Sequence, residues 1–162
     1  MRWVSNTSVI SNLAVIGELE LLRAECGRVS IPAQVKAELM RLTHAKGKRT
    51  VEDSMNEGWL EVIGVDATEY ETITEWLHEG ESAAIALALR LGADRLLIDE
   101  AAGREEAESL GIRCIGLLGI LLQAKRNGRL AQVRPVIEKL RTEARFFISR
   151  KIEAEVLKVA GE

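Results

Sequence analysis

The 162-residue chain has only two cysteines, Cys26 and Cys114, and no excess of positive charge. The cysteines lie far apart, without CxxC spacing or flanking histidines, so the sequence indicates neither a disulfide framework nor a zinc site. With 22 lysines and arginines against 25 aspartates and glutamates, the formal net charge is -3. No overall basic field attracts nucleic acid or an anionic membrane, so any polyanion must meet a local patch or a metal ion.

Long hydrophobic runs are also missing from the chain. The longest stretch without a polar side chain, residues 114–122, is shorter than the roughly 18 to 20 residues that span a bilayer. Near the start of the chain, the polar residues 5–8 interrupt the apolar stretch that a secretion signal needs. We therefore expect neither a membrane helix nor export, and two isolated thiols fit a reducing cytoplasm.

Short runs rich in valine and isoleucine alternate with segments of 3.6-residue periodicity. These runs predict strands at residues 3–4, 28–31, 60–65, 95–98 and 112–115. Alternation of strand and helix is typical of a mostly parallel sheet with helices on both faces, so we predict an α/β fold, a three-layer α/β/α sandwich. The consecutive apolar residues at 96–98 favour an interior strand.

The length predicts a single domain over residues 1–162, with residues 146–162 as a C-terminal helical extension. The apolar residues of this extension either pack on the core or form a surface for a partner. Residues 43–58 are polar, and we predict a loop or a short helix there. This stretch contains the best basic patch of the sequence, Lys46, Lys48 and Arg49. The patch is either a solvated surface or a phosphate contact.

Polar residues directly after strands are candidate site residues, because ligands of open α/β sheets bind beyond the C-terminal ends of the strands. Asn6 and Ser8 follow the first predicted strand, and Asp99 and Glu100 follow the strand that ends at Ile98. Asn6, Ser8 and Asp99 can also cap the helices that begin after them. The pattern alone leaves both roles open.

Two further carboxylates lie along apolar helix faces. Glu38 stands three residues after Val35 and four before Leu42, and Glu81 continues an apolar face in the same way. Glu38 can instead pair with Arg41, and Glu81 can instead be a favourable charge in the first turn of its helix. Carboxylates on inward positions of several elements are costly unless a cation neutralises them, and oxygen ligands favour Mg²⁺ or Mn²⁺.

Four segments of the chain together resemble a PIN-domain nuclease of the VapC-like toxin type, over residues 4 to about 145. In order they are VSNTSVISNLAVIGELELL, IPAQVKAEL, GESAAIALAL and LLIDEAAGREEAESLGIRCIGLLGILLQAKRNG. The resemblance places the acidic positions of the family at Asn6, Glu38, Glu81 and Asp99. It also matches Ser8 to a supporting hydroxyl and Glu100 to a further acidic residue. Asparagine at the first position is typical of a variant branch.

This resemblance implies metal-assisted hydrolysis of RNA phosphodiester bonds, with Glu38, Glu81 and Asp99 as the catalytic carboxylates. The ligands that it implies for Mg²⁺ or Mn²⁺ are Asn6, Glu38, Glu81, Asp99 and Glu100. It also implies that the protein is a cytoplasmic toxin that acts as a homodimer and is inhibited by a cognate antitoxin protein.

Three alternatives stay open on the sequence alone. A PIN-like protein whose metal site is impaired by Asn6 would act by binding RNA or a protein partner. A metal-independent ribonuclease would need histidines as acid and base, and only His44 and His78 are available, both expected on the surface. A phosphoacceptor receiver would need an acidic pair after an early strand and a lysine after a late one, and neither is present.

Overall fold

The fold is built on a five-stranded parallel sheet, in a computed structural model that describes residues 1–73 and 75–162. The strands are β1 (Trp3–Ser5), β2 (Val29–Pro32), β3 (Leu60–Ile63), β4 (Arg95–Leu97) and β5 (Cys114–Ile115). Across the sheet they run in the order β3-β2-β1-β4-β5, and each pair of neighbours is parallel. The predicted α/β class and the interior position of β4 are therefore confirmed.

Helices connect the strands and cover the sheet. In chain order the described residues form α1 (Thr7–Val15), α2 (Leu19–Cys26), α3 (Ala33–Leu39), α4 (Ala45–Asn56), α5 (Ala67–Tyr70), α6 (Glu79–Leu91), α7 (Ala101–Ser109), α8 (Leu117–Arg126), α9 (Arg134–Thr142) and α10 (Arg150–Ala160). None of these helices is long and apolar enough to cross a membrane.

The two faces of the sheet carry separate apolar cores, because successive side chains of a strand point to opposite faces. Trp3 and Leu97 belong to the core on one face, with buried residues of α1, α2, α3, α8 and α9. Val4 and Leu96 belong to the core on the other face, which α6 dominates. Apolar side chains are thus buried on both faces of β1 and β4, which is typical of strands in parallel sheets.

Helix α6 lies deep in the second core, with every residue from Gly80 to Ala88 buried. Its many alanines let it approach the sheet closely. The helix ends at Gly92, whose φ of 58° is the left-handed conformation that glycine adopts at helix C-termini, as its position after the apolar pattern predicts. A carboxylate in the first turn of this helix, Glu81, is consequently buried as well.

The loop alternative for residues 43–58 is wrong, since α4 is a helix of twelve residues. His44 caps it, because its Nδ1 accepts a hydrogen bond of 2.9 Å from the Gly47 amide. Val51 is fully buried on the core side, and Gly47 packs against the backbone of α1. Tertiary packing stabilises a helix here although its sequence is polar and contains a glycine.

The chain after α9 forms a short irregular segment and then α10. Val156 and Leu157 of α10 are buried in the first core, whereas Phe147 and Val159 are 87% and 74% exposed. The residues from 146 onward therefore contribute only part of their apolar surface to the core. Their status as an extension of a single domain stays a prediction.

Candidate active site

The C-terminal ends of β1, β4 and β5 bring polar residues to one edge of the sheet. The Asn6 amide donates a hydrogen bond of 2.9 Å to the Leu97 carbonyl, so residues that follow β1 and β4 are neighbours. β5 ends beside β4, which places Gly116 at the same edge. This edge corresponds to the crevice in which open α/β sheets bind ligands.

Asn6 is buried, with 3% of its surface exposed. It occupies the N-cap position of α1, but its side chain makes no capping hydrogen bond. Instead, Nδ2 donates a hydrogen bond of 3.2 Å to the carboxylate of Glu100, 94 residues away in the chain. The Asn6 side chain therefore interacts with the acidic edge rather than with its own helix.

Asp99 caps α8 and not α7, the helix directly after it that the sequence offered as the alternative role of this residue. Its Oδ1 accepts a hydrogen bond of 2.8 Å from the Leu117 amide at the start of α8, whereas Glu100 holds the N-cap position of α7. Oδ2 is buried without a hydrogen-bond partner among the described residues, as is the Oγ of Ser8. Burial raises the pKa of Asp99, with a further contribution from Glu100, against the opposing Leu117 amide and Arg104.

Gly116 is the residue that allows this approach. A Cβ atom at Gly116 would lie 2.7 Å from Oδ1 of Asp99 and 3.2 Å from Nη1 of Arg104, and both distances are too short for a side chain to fit without displacement. The same geometry shows that Arg104, on α7, lies beside the Asp99 carboxylate.

Glu81 is 5% exposed and faces a second carboxylate. Its Oε2 accepts a hydrogen bond of 3.3 Å from the His78 amide, so it also has the structural role predicted for a charge in the first turn of a helix. Burial raises the pKa of Glu81, and the neighbouring charge of Glu100 raises it further. A buried carboxylate is thus held at close range to an exposed one.

Glu38, on α3, accepts a hydrogen bond from the Thr7 hydroxyl. Its carboxylate lies against Gly80, where a Cβ atom would overlap it. The alternative ion pair with Arg41 is not formed in the described structure, although Arg41 lines the same cavity. Glu38 is therefore brought next to the start of α6 and close to Glu81.

Two adjoining cavities open at this edge. The acidic cavity, of about 350 Å³, is lined by residues that include Asn6, Ser8, Glu38, Arg41, His78, Glu81 and Glu100. The aromatic cavity, of about 640 Å³, is lined by residues that include Ser8, Asp99, Glu100, Arg104, Cys114, Arg145, Phe146 and Phe147. Ser8 and Glu100 line both cavities, so the two are adjacent.

The donor set at this edge has the chemistry of a site for a hard cation. Carboxylates of Glu38, Glu81, Asp99 and Glu100 gather there, and in the described structure none of them forms a salt bridge. No group of three His, Cys, Asp or Glu side chains converges on one point within the described ranges. An ion that takes one or two carboxylates and keeps several waters, as Mg²⁺ does, fits this arrangement better than one that needs a closed cage.

The predicted basic patch lies elsewhere. Lys46, Lys48 and Arg49 are in the first turns of α4, and as the structure describes them they line neither cavity. Gly47 of this helix packs on Ala14 and Val15, at the far end of α1 and about 12 Å along that helix from Thr7. The structure therefore does not bring this patch to the acidic edge.

Sequence reasoning missed the cations that do line the cavities. Arg104 follows Asp99 by five residues, so one turn of helix after the strand would have placed it near the site. No local pattern predicts Arg145, and the sequence suggests Arg41 only as an ion-pair partner of Glu38. Of the two histidines, both exposed, His44 caps α4 and His78 lines the acidic cavity at the start of α6.

Fold and site together define an α/β protein with an oxygen-lined, acidic cavity at the C-terminal edge of a parallel sheet. The chain belongs to the PIN domain family DUF3368, which matches it over residues 2–162. PIN domains are typically nucleases. The prediction of a PIN domain is thus confirmed, while the VapC-like type and the asparagine branch stay predictions.

The structure is also similar to a PilT N-terminus domain protein from the hyperthermophilic archaeon Sulfolobus solfataricus P2. The TM-score is 0.58 at 19% sequence identity, and the match covers 76% of this chain and 93% of the other. At this identity the likeness shows the fold alone. No curated protein matches the chain.

Proposed function

We propose that the protein is an endoribonuclease that hydrolyses RNA phosphodiester bonds with Mg²⁺ or Mn²⁺. The observation that carries the proposal is the placement of Glu81 and Glu100 side by side next to Asn6 and Asp99, at an edge where no described lysine or arginine forms a salt bridge with them. Burying the carboxylate of Glu81 beside the like charge of the exposed Glu100 is unfavourable unless a cation joins them. A family of typical nucleases supplies the reaction class.

The residues divide into ligands and positioning groups. Glu81 and Glu100, with the amide of Asn6, would hold the ion, which when bound lowers the pKa of a coordinated water and neutralises charge on the phosphate. Asp99 is fixed by the Leu117 amide and keeps Oδ2 available as a ligand or as an acceptor for water. Glu38, fixed by Thr7, would orient the attacking water.

The proposed biological role is that of a toxin, paired with an antitoxin protein and active as a homodimer in the cytoplasm. Its support is the resemblance of the sequence to VapC-like toxins. Exposed apolar side chains such as Trp76, which is 83% exposed, offer surface to a protein partner. Light scattering after size-exclusion chromatography would measure the mass, and a dimer is the expected result.

The decisive experiment is cleavage of a structured RNA by the purified protein with Mg²⁺ or Mn²⁺, beside an EDTA control. Glu81→Gln and Asp99→Asn should each lower the cleavage rate by about 100-fold or more, because each removes a charge that the ion needs. Glu155→Gln and Asp53→Asn are matched controls at exposed positions and should cleave normally. Cleavage that persists in EDTA would overturn the proposal.

A second candidate function rests on Asn6. This side chain brings no charge and donates a hydrogen bond to Glu100, so the protein would act by binding RNA or a protein partner without cleaving RNA. The variant Asn6→Asp separates the two functions. If the natural protein binds no Mg²⁺ by calorimetry and cleaves nothing, while Asn6→Asp does both, the impaired site is correct; an active natural protein excludes it.

A further inference from the structure

The aromatic cavity presents an exposed phenylalanine beside the acidic edge. Phe147 is 87% exposed, whereas its neighbour Phe146 packs against the first core. Arg145, just before them, has a φ of 53°, in the left-handed region that residues with a side chain adopt rarely. The Phe146 amide is fixed by a hydrogen bond of 2.9 Å to the Leu140 carbonyl, so this turn holds one ring in the core and the other in the solvent.

Two arginines share the cavity with this ring. Arg104 lies beside Asp99, at the boundary with the acidic edge. Arg145 is exposed and forms no salt bridge with a described residue. The cavity thus combines two arginines with an aromatic face, while the carboxylates of Asp99 and Glu100 line it on the side of the acidic edge.

This combination matches the chemistry of a single nucleic-acid strand. Cations along a groove hold the phosphates, and an exposed aromatic ring stacks on a base whose face is free. In a duplex the bases are stacked on one another, so a ring can reach them only where the strand is unpaired. The aromatic cavity adjoins the acidic cavity at Ser8 and Glu100, so one strand can extend over both.

We propose that single-stranded RNA runs from the acidic cavity into the aromatic cavity, where one base stacks on Phe147 and the adjoining phosphates contact Arg104 and Arg145. This inference rests on the proposed nuclease function and deepens it, because it assigns Phe147 and the two arginines beside it to binding of the strand. The scissile phosphate then lies at the junction of the cavities, and the stacked base lies to one side of it.

The test measures binding apart from cleavage. A short fluorescein-labelled single-stranded RNA is titrated with the full protein in EDTA, and fluorescence anisotropy gives the Kd. Phe147→Ala should weaken binding by about 10-fold, the loss expected for one stacked base, and Phe147→Trp should restore it. Trp76→Ala, which removes another exposed ring, should bind like the natural protein.

The arginines are tested by salt dependence. Arg145→Gln should reduce the slope of log Kd against log salt by about 0.7, the value for one phosphate contact on a single strand. Arg113→Gln, an exposed arginine outside both cavities, should leave the slope unchanged. Since Phe147 and Arg145 are both exposed, thermal melting should show each variant folded like the natural protein.

Three results would overturn the inference: unchanged binding by Phe147→Ala, no recovery in Phe147→Trp, or equal affinity for a fully paired duplex of the same sequence. Its failure differs from failure of the proposed function. A protein that cleaves RNA in Mg²⁺ but is indifferent to Phe147→Ala refutes only the aromatic subsite. A protein that neither binds nor cleaves RNA refutes both.

Discussion

The carboxylates at the two ends of α8 have pKa values shifted in opposite directions. At its first residue, Asp99 meets the Leu117 amide in an edge where Glu81 and Glu100 face each other and the pKa values of Asp99 and Glu81 are raised. At its last turn, about 15 Å along the helix, Glu25 is bound by polar and basic side chains. The carboxylate forms no salt bridge at the first end, although Arg104 lies beside it, and it forms one with Arg129 at the other end.

The paired end, which comprises Glu25 and Glu162 near the last turn of α8, contains carboxylates that stabilise the fold. Glu25 has no exposed side-chain surface and accepts hydrogen bonds of 2.8 to 2.9 Å from Gln123, Asn127 and Arg129. Burial alone would raise the pKa of Glu25, but these hydrogen bonds outweigh it and hold the pKa below its ordinary value. Glu162, which accepts from Lys125 and from the Val133 amide, has its pKa lowered to about 2.

The difference teaches which acids stabilise the fold and which are held at its expense. A carboxylate with a lowered pKa adds to the free energy of unfolding at neutral pH, and one with a raised pKa reduces it. Groups that cost stability are retained where a ligand needs them, a trade-off typical of functional sites. The acidic edge therefore differs from the paired end in its contribution to the free energy of unfolding, which it lowers at neutral pH.

The largest expected effect is at the paired end. Glu25→Ala should lower the free energy of unfolding by about 2 to 4 kcal/mol, because it leaves Arg129 and two amides without their buried acceptor. Urea denaturation followed by circular dichroism measures it. Glu155→Ala, an exposed control, should change the value by about 0.5 kcal/mol or less. Equal effects at Glu25 and Glu155 would contradict the claim that the hydrogen bonds of Glu25 stabilise the fold.

The second effect tests the acidic edge with its proposed ligand. Mg²⁺ at ten times its Kd should raise Tm by about 4 °C, since binding to the folded state alone contributes about 1.4 kcal/mol. Differential scanning fluorimetry with and without EDTA reads the shift. Glu155→Gln should keep it and Glu81→Gln should lose most of it. A shift of the same size in Glu81→Gln would place the ion elsewhere.

A third, smaller effect has the opposite sign from Glu25→Ala. In EDTA, Glu81→Gln should raise the free energy of unfolding by about 1 kcal/mol, because it removes a buried charge beside Glu100 and keeps an acceptor for the His78 amide. The pKa of Glu81 is raised, so the natural protein regains this stability as the pH falls through that value toward 4.5. The gap between the two proteins should close over that range, and a constant gap would contradict the assignment.

The smallest effect is expected at Glu162. Its pKa is lowered from 4.5 to about 2, so its contribution to stability is complete above 4.5 and is lost as the pH falls through about 2. Glu162→Gln should be less stable than the natural protein at neutral pH and equal to it near pH 2. Urea unfolding at several pH values measures this convergence, and a difference that persists at the acid end would refute it.

The sheet was largely predictable, since each predicted strand coincides with one in the structure and the apolar run at residues 96–98 belongs to an interior strand. These strand patterns are local, because a strand buried on both faces consists of consecutive apolar residues. Helix α4 was not predictable in the same way. Its stability depends on contacts of Gly47 and Val51 with distant elements, which no window of sequence contains.

The site was predictable in composition but not in its pairings. The sequence places Asn6, Asp99 and Glu100 after strands, and the structure brings them to one edge with Glu38 and Glu81. The hydrogen bonds between these residues could not be predicted. The bond from the Leu117 amide to Asp99 spans 18 residues and depends on β4 and β5 ending side by side, so the local pattern favoured a cap on α7 instead. The position of Arg145 in the lining of the aromatic cavity accompanies a left-handed backbone conformation that the sequence does not predict.

The strand order of the sheet has a consequence for synthesis on the ribosome. β1 emerges first, yet its partner β4 is synthesised about 90 residues later, and Asp99 is fixed only when Leu117 has followed. Until then Asn6 and Glu81 exist on a chain without a completed crevice. A growing chain thus lacks a completed acidic edge until most of it has been translated.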